Sequence, residues 1–521
     1  MHSPEYQQSV KLTAHILGRV RRKGVKLWSE NGQLHYKAPR GALTEEDIEI
    51  LRQSSGQIVA LLERSPSVRS TPPPRGSFER PDLIPLTGPQ LAHWNMNRLS
   101  ERPAIRQIAS AVQLSGLLRL DDLRNSLAEV VCRHEALRTR IVIRDGTPLQ
   151  QLYEAGPTEL EFEDLTGVPR AQREAEVQRW IEKTVMQPTD LATGPLWVAR
   201  LLKLQQDEHV LVLAMEHLIC DAYSMGVVLQ ELFAGYIQLV RGHELSLPRI
   251  DVQFPDYAVW QQQMRQSWLK EHGEYWRQRL TECQRVRFPE DRDASIEDQR
   301  GWGTIPLHID NSLREQLREV SRARRTTVAI AVFTAYAALA LRWSEVSDAV
   351  LQYETDGRAS HTLESTIGYL ASTLFLRIQL MDADSFADLI NRVTVEYRSA
   401  QEHADLGYFA AQVPRPGFAC NAAFNWIPQK TRTPPQDPQR RGDALTYAPV
   451  LFTHPMLKVD DRDNEPVLML YDRDSCIDGA VHFPTSRFSF ERMQRFAANF
   501  RRFLGVLASQ SDVRIQDIVL N

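Results

Sequence analysis

The stretch from Ser65 to Pro81, SPSVRSTPPPRGSFERP, constrains this chain more than any other feature. Three consecutive prolines, several serines and no apolar periodicity describe an extended, semi-rigid connector. A single hydrophobic core cannot run through such a segment, so at least two separate bodies are required. The reading is a small module at 1–64, a linker at 65–82 and one long remainder. At about 150 residues per domain, 521 residues imply roughly three domains or lobes, so the remainder is expected to split into lobes at 83–265 and 266–521. With 42% hydrophobic and 25% charged residues, disorder over most of the chain is excluded, as is a disulfide-built miniature scaffold.

The small module has a readable plan. Val10, Leu12, Ile16, Leu17 and Val20 recur at helical spacing before Gly24, a normal helix stop. VKLWS and QLHYK then alternate apolar and polar residues around Asn31-Gly32, the strongest short hairpin signal. Thr44 with Asp47 three residues on predicts a capped second helix, whose apolar face would be Ile48, Leu51, Ile58, Leu61 and Leu62. From Met1 to Leu43 there are eight Lys/Arg against Glu5 and Glu30. Such a module is either a solvated basic face or a strand edge that takes an acidic extended peptide.

A net charge of −4 points to neither nucleic acid nor an anionic membrane. The five cysteines are scattered, without a C-x-x-C, which predicts reduced thiols and no metal site. The N-terminus lacks the order of a signal peptide, and the most apolar run, Thr326 to Leu341, is too short to span a bilayer. The expectation is a cytoplasmic protein, monomeric by default, with that run as a buried core helix. Strand-like runs (HVLVLAM, AVLQY, PVLMLY) alternate with helical patterns, so the remainder reads as α/β or α+β.

Chemistry concentrates in EHVLVLAMEHLICDAYSMGVVLQELFAGY, Glu208 to Tyr236. A strand-like run ends at Met215-Glu216-His217, a small polar turn follows from Cys220 to Ser224, and a helical pattern begins. His217 would sit at a strand end and Asp221 at a helix mouth. A histidine held there can take a proton from an attacking amine or hydroxyl. The aspartate can fix the loop without touching substrate. On this spacing alone, a satisfied histidine beside a capping aspartate is the favoured reading.

That segment resembles the HHxxxDG motif of nonribosomal peptide synthetase condensation domains, within the chloramphenicol-acetyltransferase-like superfamily. Further motifs occur in that family's order. Leu86-Thr87-Gly88-Pro89-Gln90 with His93-Trp94 is similar to "LSxxQxxxW", and Arg133 to Thr139 is RHEALRT, matching "RHExLRT". Asp256 to Trp260 resembles "DFAVW", with Tyr275-Trp276 and Leu280 after it; Gly357-Arg358 and Ile367 to Leu374 resemble "GR…IGxFVNTL". The resemblance covers 83–521. It implies two acetyltransferase-like lobes in a V with a tunnel between them, His217 as the catalytic residue, acting as base or positioning group, and Glu216, Asp221, Ala222 and Arg358 as motif residues that hold the loop. Ser372 and Trp94 would lie on the tunnel or acceptor side. Lys23 to Trp28, Leu34 to Pro39 and Gly41 to Thr44 resemble β-hairpin docking domains of the TubC type, so the module is a small αββα docking domain. Arg21, Arg22, Lys23, Lys26, Trp28 and Lys37 would form its docking surface.

The chain departs from the family pattern at four places. Glu216 replaces the first histidine, Ala222 the glycine and Ser372 the asparagine of "VNT". The later "HQDxPFE" is reduced to His403-Ala404-Asp405-Leu406-Gly407-Tyr408. Neither an adenylation domain nor a phosphopantetheine-bearing carrier is found, so the expectation is a free-standing coupling enzyme. Its donor would be an acyl, peptidyl or polyketidyl thioester on an upstream carrier protein with a short acidic C-terminal docking peptide. Its acceptor would be an amine or alcohol, either on a separate carrier or, as favoured, a free small molecule, so that coupling releases an amide or ester in a natural-product assembly line. No cofactor of its own is implied; the substrate rides on the partner's 4'-phosphopantetheine. Two other functions stay open: an eroded recruitment or gating module, and an acyltransferase that uses a soluble coenzyme thioester.

Overall fold

The computed structural model describes residues 26–30, 33–37, 43–56, 58–59, 72, 79–99, 107–292, 301–412, 422–428, 445–450, 465–473 and 475–520. The chain divides into two units, Met1–Thr71 and Pro72–Asn521. In the first, β1 (Lys26–Glu30) and β2 (Gln33–Lys37) pair antiparallel, with Trp28 opposite His35 and Lys26 opposite Lys37. Thr44 caps α1 (Glu45–Gln53) reciprocally: its hydroxyl accepts from the Asp47 N–H at 3.2 Å, and the Asp47 carboxylate accepts from the Thr44 N–H at 3.0 Å. Leu51 and Ile58 are buried, but Ile48, expected on the same face, is exposed. The capping turn draws Asp47 inward instead, where it is buried. The expected first helix, Arg21, Arg22, Lys23, Leu61, Leu62 and most of the linker lie outside the described residues. Lys26, Trp28 and Lys37 are described by backbone alone.

The second unit contains two lobes. The first comprises β3 (Leu83–Pro85), α2 (Gly88–Leu99), β4 (Gln107–Ser115), α3 (Leu120–Arg133), β5 (Thr139–Arg144), β6 (Thr147–Leu152), β7 (Glu161–Asp164), α4 (Arg170–Val185), β8 (Trp197–Gln205), β9 (Glu208–Glu216) and α5 (Ala222–Val240). The helix α6 (Phe254–Leu280) leads to β10 (Trp302–Ile309), α7 (Asn311–Ala323), α8 (Val328–Trp343), β11 (Asp348–Thr355), β12 (Ser372–Gln379), α9 (Phe386–Glu402), β13 (Ala423–Pro428), β14 (Thr446–Pro449), β15 (Val467–Asp472), β16 (Ile477–Pro484) and α10 (Phe490–Ser509).

Strand β9 is the middle of a five-stranded sheet ordered β14-β4-β9-β8-β7. Its near-continuous apolar run follows from burial on both faces. Leu211, Leu213 and Met215 join a core with residues of α3 and α5, while Val210, Val212 and Ala214 pack with Val177, Trp180 and Ile181 of α4. Strand β14 arrives from the far lobe and pairs with β4, Thr446 opposite Ser115. Strands β3, β6 and β5 form a small separate sheet.

The second lobe is a mixed six-stranded sheet, β10-β16-β15-β13-β11-β12. Its core helix is α8, where every residue from Ala331 to Leu341 except Val332 and Phe333 is alanine, threonine, tyrosine or leucine and all are fully buried. Among the described residues no single helix is long and apolar enough to cross a membrane. Helix α6 runs unbroken through 265 and 266, where the sequence suggests a lobe boundary. Phe254 at its start belongs to the first core, and Trp276 and Leu280 near its end to the second. One helix is therefore shared by both lobes.

Candidate active site

Strand β9 ends at Glu216, and His217 stands at the first position beyond it. The turn that follows is held from three sides. Gln90 of α2 donates through Nε2 to the Leu218 carbonyl at 2.6 Å. Asp221 caps α5, accepting from the Ser224 N–H at 2.7 Å. The Asp221 carboxylate also takes Arg358 Nη1 at 2.9 Å and Nη2 at 3.2 Å, and the backbone N–H groups of Leu370 and Ala371 at 3.0 and 2.9 Å. One buried carboxylate thus gathers a helix cap from the first lobe and an arginine and a backbone segment from the second.

Burial by itself would raise the pKa of Asp221, but the Arg358 guanidinium and the Ser224 donors outweigh it and hold the group below the usual carboxylate range. Arg358 is further fixed by Ser224 Oγ at 2.8 Å, by the carbonyls of Asp356 and Thr366, and by the Tyr223 ring beneath it at 4.2 Å. Asp221 is committed to this clamp and carries no free proton to give.

His217 is held differently. Its Nδ1 lies 2.8 Å from the Cys220 carbonyl. A carbonyl only accepts, so Nδ1 carries the proton and donates, leaving the Nε2 lone pair available. The ring stacks on Tyr369 at 4.1 Å between centroids and meets His93 edge-on at 5.4 Å. Burial, then repulsion from His93, lowers its pKa to about 4, against smaller opposing pulls from the Cys220 carbonyl and Asp221. The imidazole is therefore neutral at pH 7, and the residue as a whole is half-buried. Cys220 is buried, and burial followed by the Asp221 charge pushes its thiol well up, so it is no thiolate nucleophile.

Glu216, Asp221, Ala222 and Arg358 surround His217 in sequence or in space. The Glu216 carboxylate lies 3.6 Å from His93 Nε2, and Ala222 is the first residue of α5. Ser372 opens β12 directly after Ala371, and its carbonyl accepts from Thr355 Oγ1 at 3.0 Å. Trp94 packs on the first core from α2, and its Nε1 has no hydrogen-bond partner among the described residues. His93, Tyr369 and Gln90 also enter the site, although nothing in the sequence beyond motif membership marks them. Their approach to His217 depends on tertiary contacts that no local spacing encodes. Elsewhere, His308 and Cys476 converge on Asp478, but Arg473 Nε 3.1 Å from the same carboxylate already supplies the positive charge.

Residues 81–521 match the Condensation domain family, and residues 14–64 match the TubC N-terminal docking domain. The chain is 28% identical over 452 residues to the chondramide synthase of Chondromyces crocatus, a match that takes in 86% of this chain and 11% of that one. It spans only 7 to 11% of the length of such synthases. The fold is similar to the X-domain from teicoplanin biosynthesis, with a TM-score of 0.72 at 24% identity over 85% of this chain and 99% of that one. It is also similar to the EpoB cyclization-docking bidomain from Sorangium cellulosum, with a TM-score of 0.71 at 18% identity over 96% and 99%. Condensation domains form amide bonds between substrates tethered to carrier-protein phosphopantetheine. With the segments similar to HHxxxDG, GR and IGxFVNTL meeting at the Asp221 clamp across two lobes, this chain belongs to the condensation domains of nonribosomal peptide synthetases and carries a TubC-type docking domain.

Proposed function

We propose that this protein transfers an acyl, peptidyl or polyketidyl chain from an upstream carrier protein's phosphopantetheine thioester to an amine or hydroxyl of a small-molecule acceptor, giving an amide or ester. The observation that carries this reading is the His217 tautomer: Nδ1–H spent on the Cys220 carbonyl, Nε2 left as an acceptor on a neutral ring. An acceptor N–H or O–H bonds to Nε2 and is oriented toward the thioester carbonyl. As the new C–N or C–O bond forms, the nucleophile becomes acidic and its proton passes to Nε2. The C–S bond then breaks, and the phosphopantetheine thiolate takes that proton back. A base with a pKa near 4 is too weak to ionise an alcohol outright, so proton transfer accompanies bond formation.

Asp221 and Arg358 serve by keeping the His217 loop and the second lobe in register. Glu216 and Ala222 flank these groups without replacing either one, which supports retained catalysis over recruitment alone. The basic hairpin module would hold the carrier's acidic C-terminal peptide and raise the local concentration of donor.

The test is intact-mass analysis of an acyl-loaded carrier protein incubated with this protein and a panel of free amines, free alcohols and carrier-bound acceptors. Unloading with a new amide or ester from a free acceptor is expected. Unloading only onto carrier-bound acceptors would replace the small-molecule part of the reading.

A further inference from the structure

The backbone that carries Tyr369 and the Asp221 clamp leads to a second acid that the chemistry above does not use. Glu354, near the end of β11, is in register with Thr373 on β12. Both Glu354 carboxyl oxygens lie 2.9 Å from Thr373 Oγ1. A hydroxyl has one proton to donate, so most of the carboxylate's acceptor capacity is unused. No cationic side chain among the described residues pairs with it. Burial raises its pKa to about 7, the Thr373 bond opposing this, while the residue as a whole is half-buried.

Strand alternation fixes the direction in which Glu354 points. Its neighbour Tyr353 packs into the second core, edge-on to Phe333 of α8 at 5.3 Å, so Glu354 stands on the opposite face. Phe375, two residues beyond Thr373, shares that face and meets Trp276 of α6 at 6.2 Å. The other end of α6 reaches the His217 region: a Cβ on Gly368 would collide with the Phe254 ring, and the next residue, Tyr369, is the one stacked on His217. Glu354 and Thr373 therefore lie on the α6 side of the sheet. Thr373 is four residues along the backbone from Tyr369, at most about 14 Å.

Building on the transfer reaction proposed above, we propose that Glu354 and Thr373 form a binding site for an ammonium group on the acceptor. The acceptor class is then one with a protonated amine several bonds from the attacking amine or hydroxyl: a diamine, an amino alcohol or a basic amino acid. An ammonium brings the counter-charge and the three donors that the strand pair lacks. Glu354 is a binding and specificity residue and takes no part in the proton transfer at His217.

Cadaverine and hexylamine test this, because they have the same length and differ in one terminal cation. Wild type, Glu354→Gln and Glu354→Asp are compared in transfer from a loaded carrier protein, and in thermal shift with each amine alone. Wild type is expected to prefer cadaverine in kcat/KM by about tenfold or more, mainly through KM. Glu354→Gln is expected to bring the ratio close to one, and Glu354→Asp to keep part of the preference. Equal ratios in wild type and Glu354→Gln, or no preference in wild type, would overturn the assignment. If neither amine is transferred, the thermal shift decides. Stabilisation by cadaverine that Glu354→Gln abolishes retains the cation site while removing the transfer reading; no such difference removes the site.

Discussion

His217 acts through Nε2 alone, because the Cys220 carbonyl occupies Nδ1, and its lowered pKa determines how activity depends on pH. A free histidine would lose its lone pair below pH about 6.5. With a value of about 4, the His217 limb in kcat/KM should instead appear below about pH 5. An alcohol acceptor, which does not itself titrate there, makes this measurable between pH 4.5 and 8, with rates flat from about 5.5 upward. Since His93 contributes to the shift, His93→Asn should move the limb to higher pH. Stability follows the same sign. His217 and His482 both stay neutral in the fold down to about pH 4, while the unfolded chain takes up their protons from about pH 6.5. Stability therefore falls as pH drops through that window, and His482→Asn should lose less between pH 6.5 and 4.5 in denaturant titrations. His217 and Asp221 were legible in the sequence because the strand, turn and helix that hold them are contiguous. Glu354 was not legible, since its importance lies in a cross-strand partner and in the lack of a described cation.

At the scale of elements, the clamp on Asp221 is the tie between helix α5 and the second lobe. Arg358→Ala leaves the buried carboxylate without its counter-charge, which costs about 3–5 kcal/mol of unfolding free energy, measurable by urea titration. The turn that delivers Arg358 is equally constrained: Gly357 has φ +65°, and a Cβ there would run into the Leu370 carbonyl. Gly357→Ala should destabilise by at least about 1 kcal/mol by the same measurement. Patterning made several elements readable, among them the hairpin, the capped helix after it, and α8 as a buried helix. The sharing of α6 between two cores was not readable, because its helical pattern is continuous across both. The entry of β14 into the first lobe's sheet was equally hidden, since a four-residue strand carries no record of its partner.

At the scale of the whole molecule, the Pro/Ser-rich connector predicts two bodies, and a separate function is proposed for each. Removing residues 1–64 should weaken transfer from intact carrier protein about tenfold or more while sparing a small-molecule thioester surrogate. Equal loss with both donors would make the module a structural part of the enzyme. Catalysis by His217 is checked without intermediates by a single-turnover comparison, by intact mass, of acyl loss from one loaded carrier protein with wild type and with His217→Ala. A fall of about 10²- to 10⁴-fold in the variant, at unchanged carrier binding, is the predicted result. A docked carrier that loses its acyl group equally fast with His217→Ala, or keeps it with wild type, would contradict that role, and the second outcome would favour recruitment.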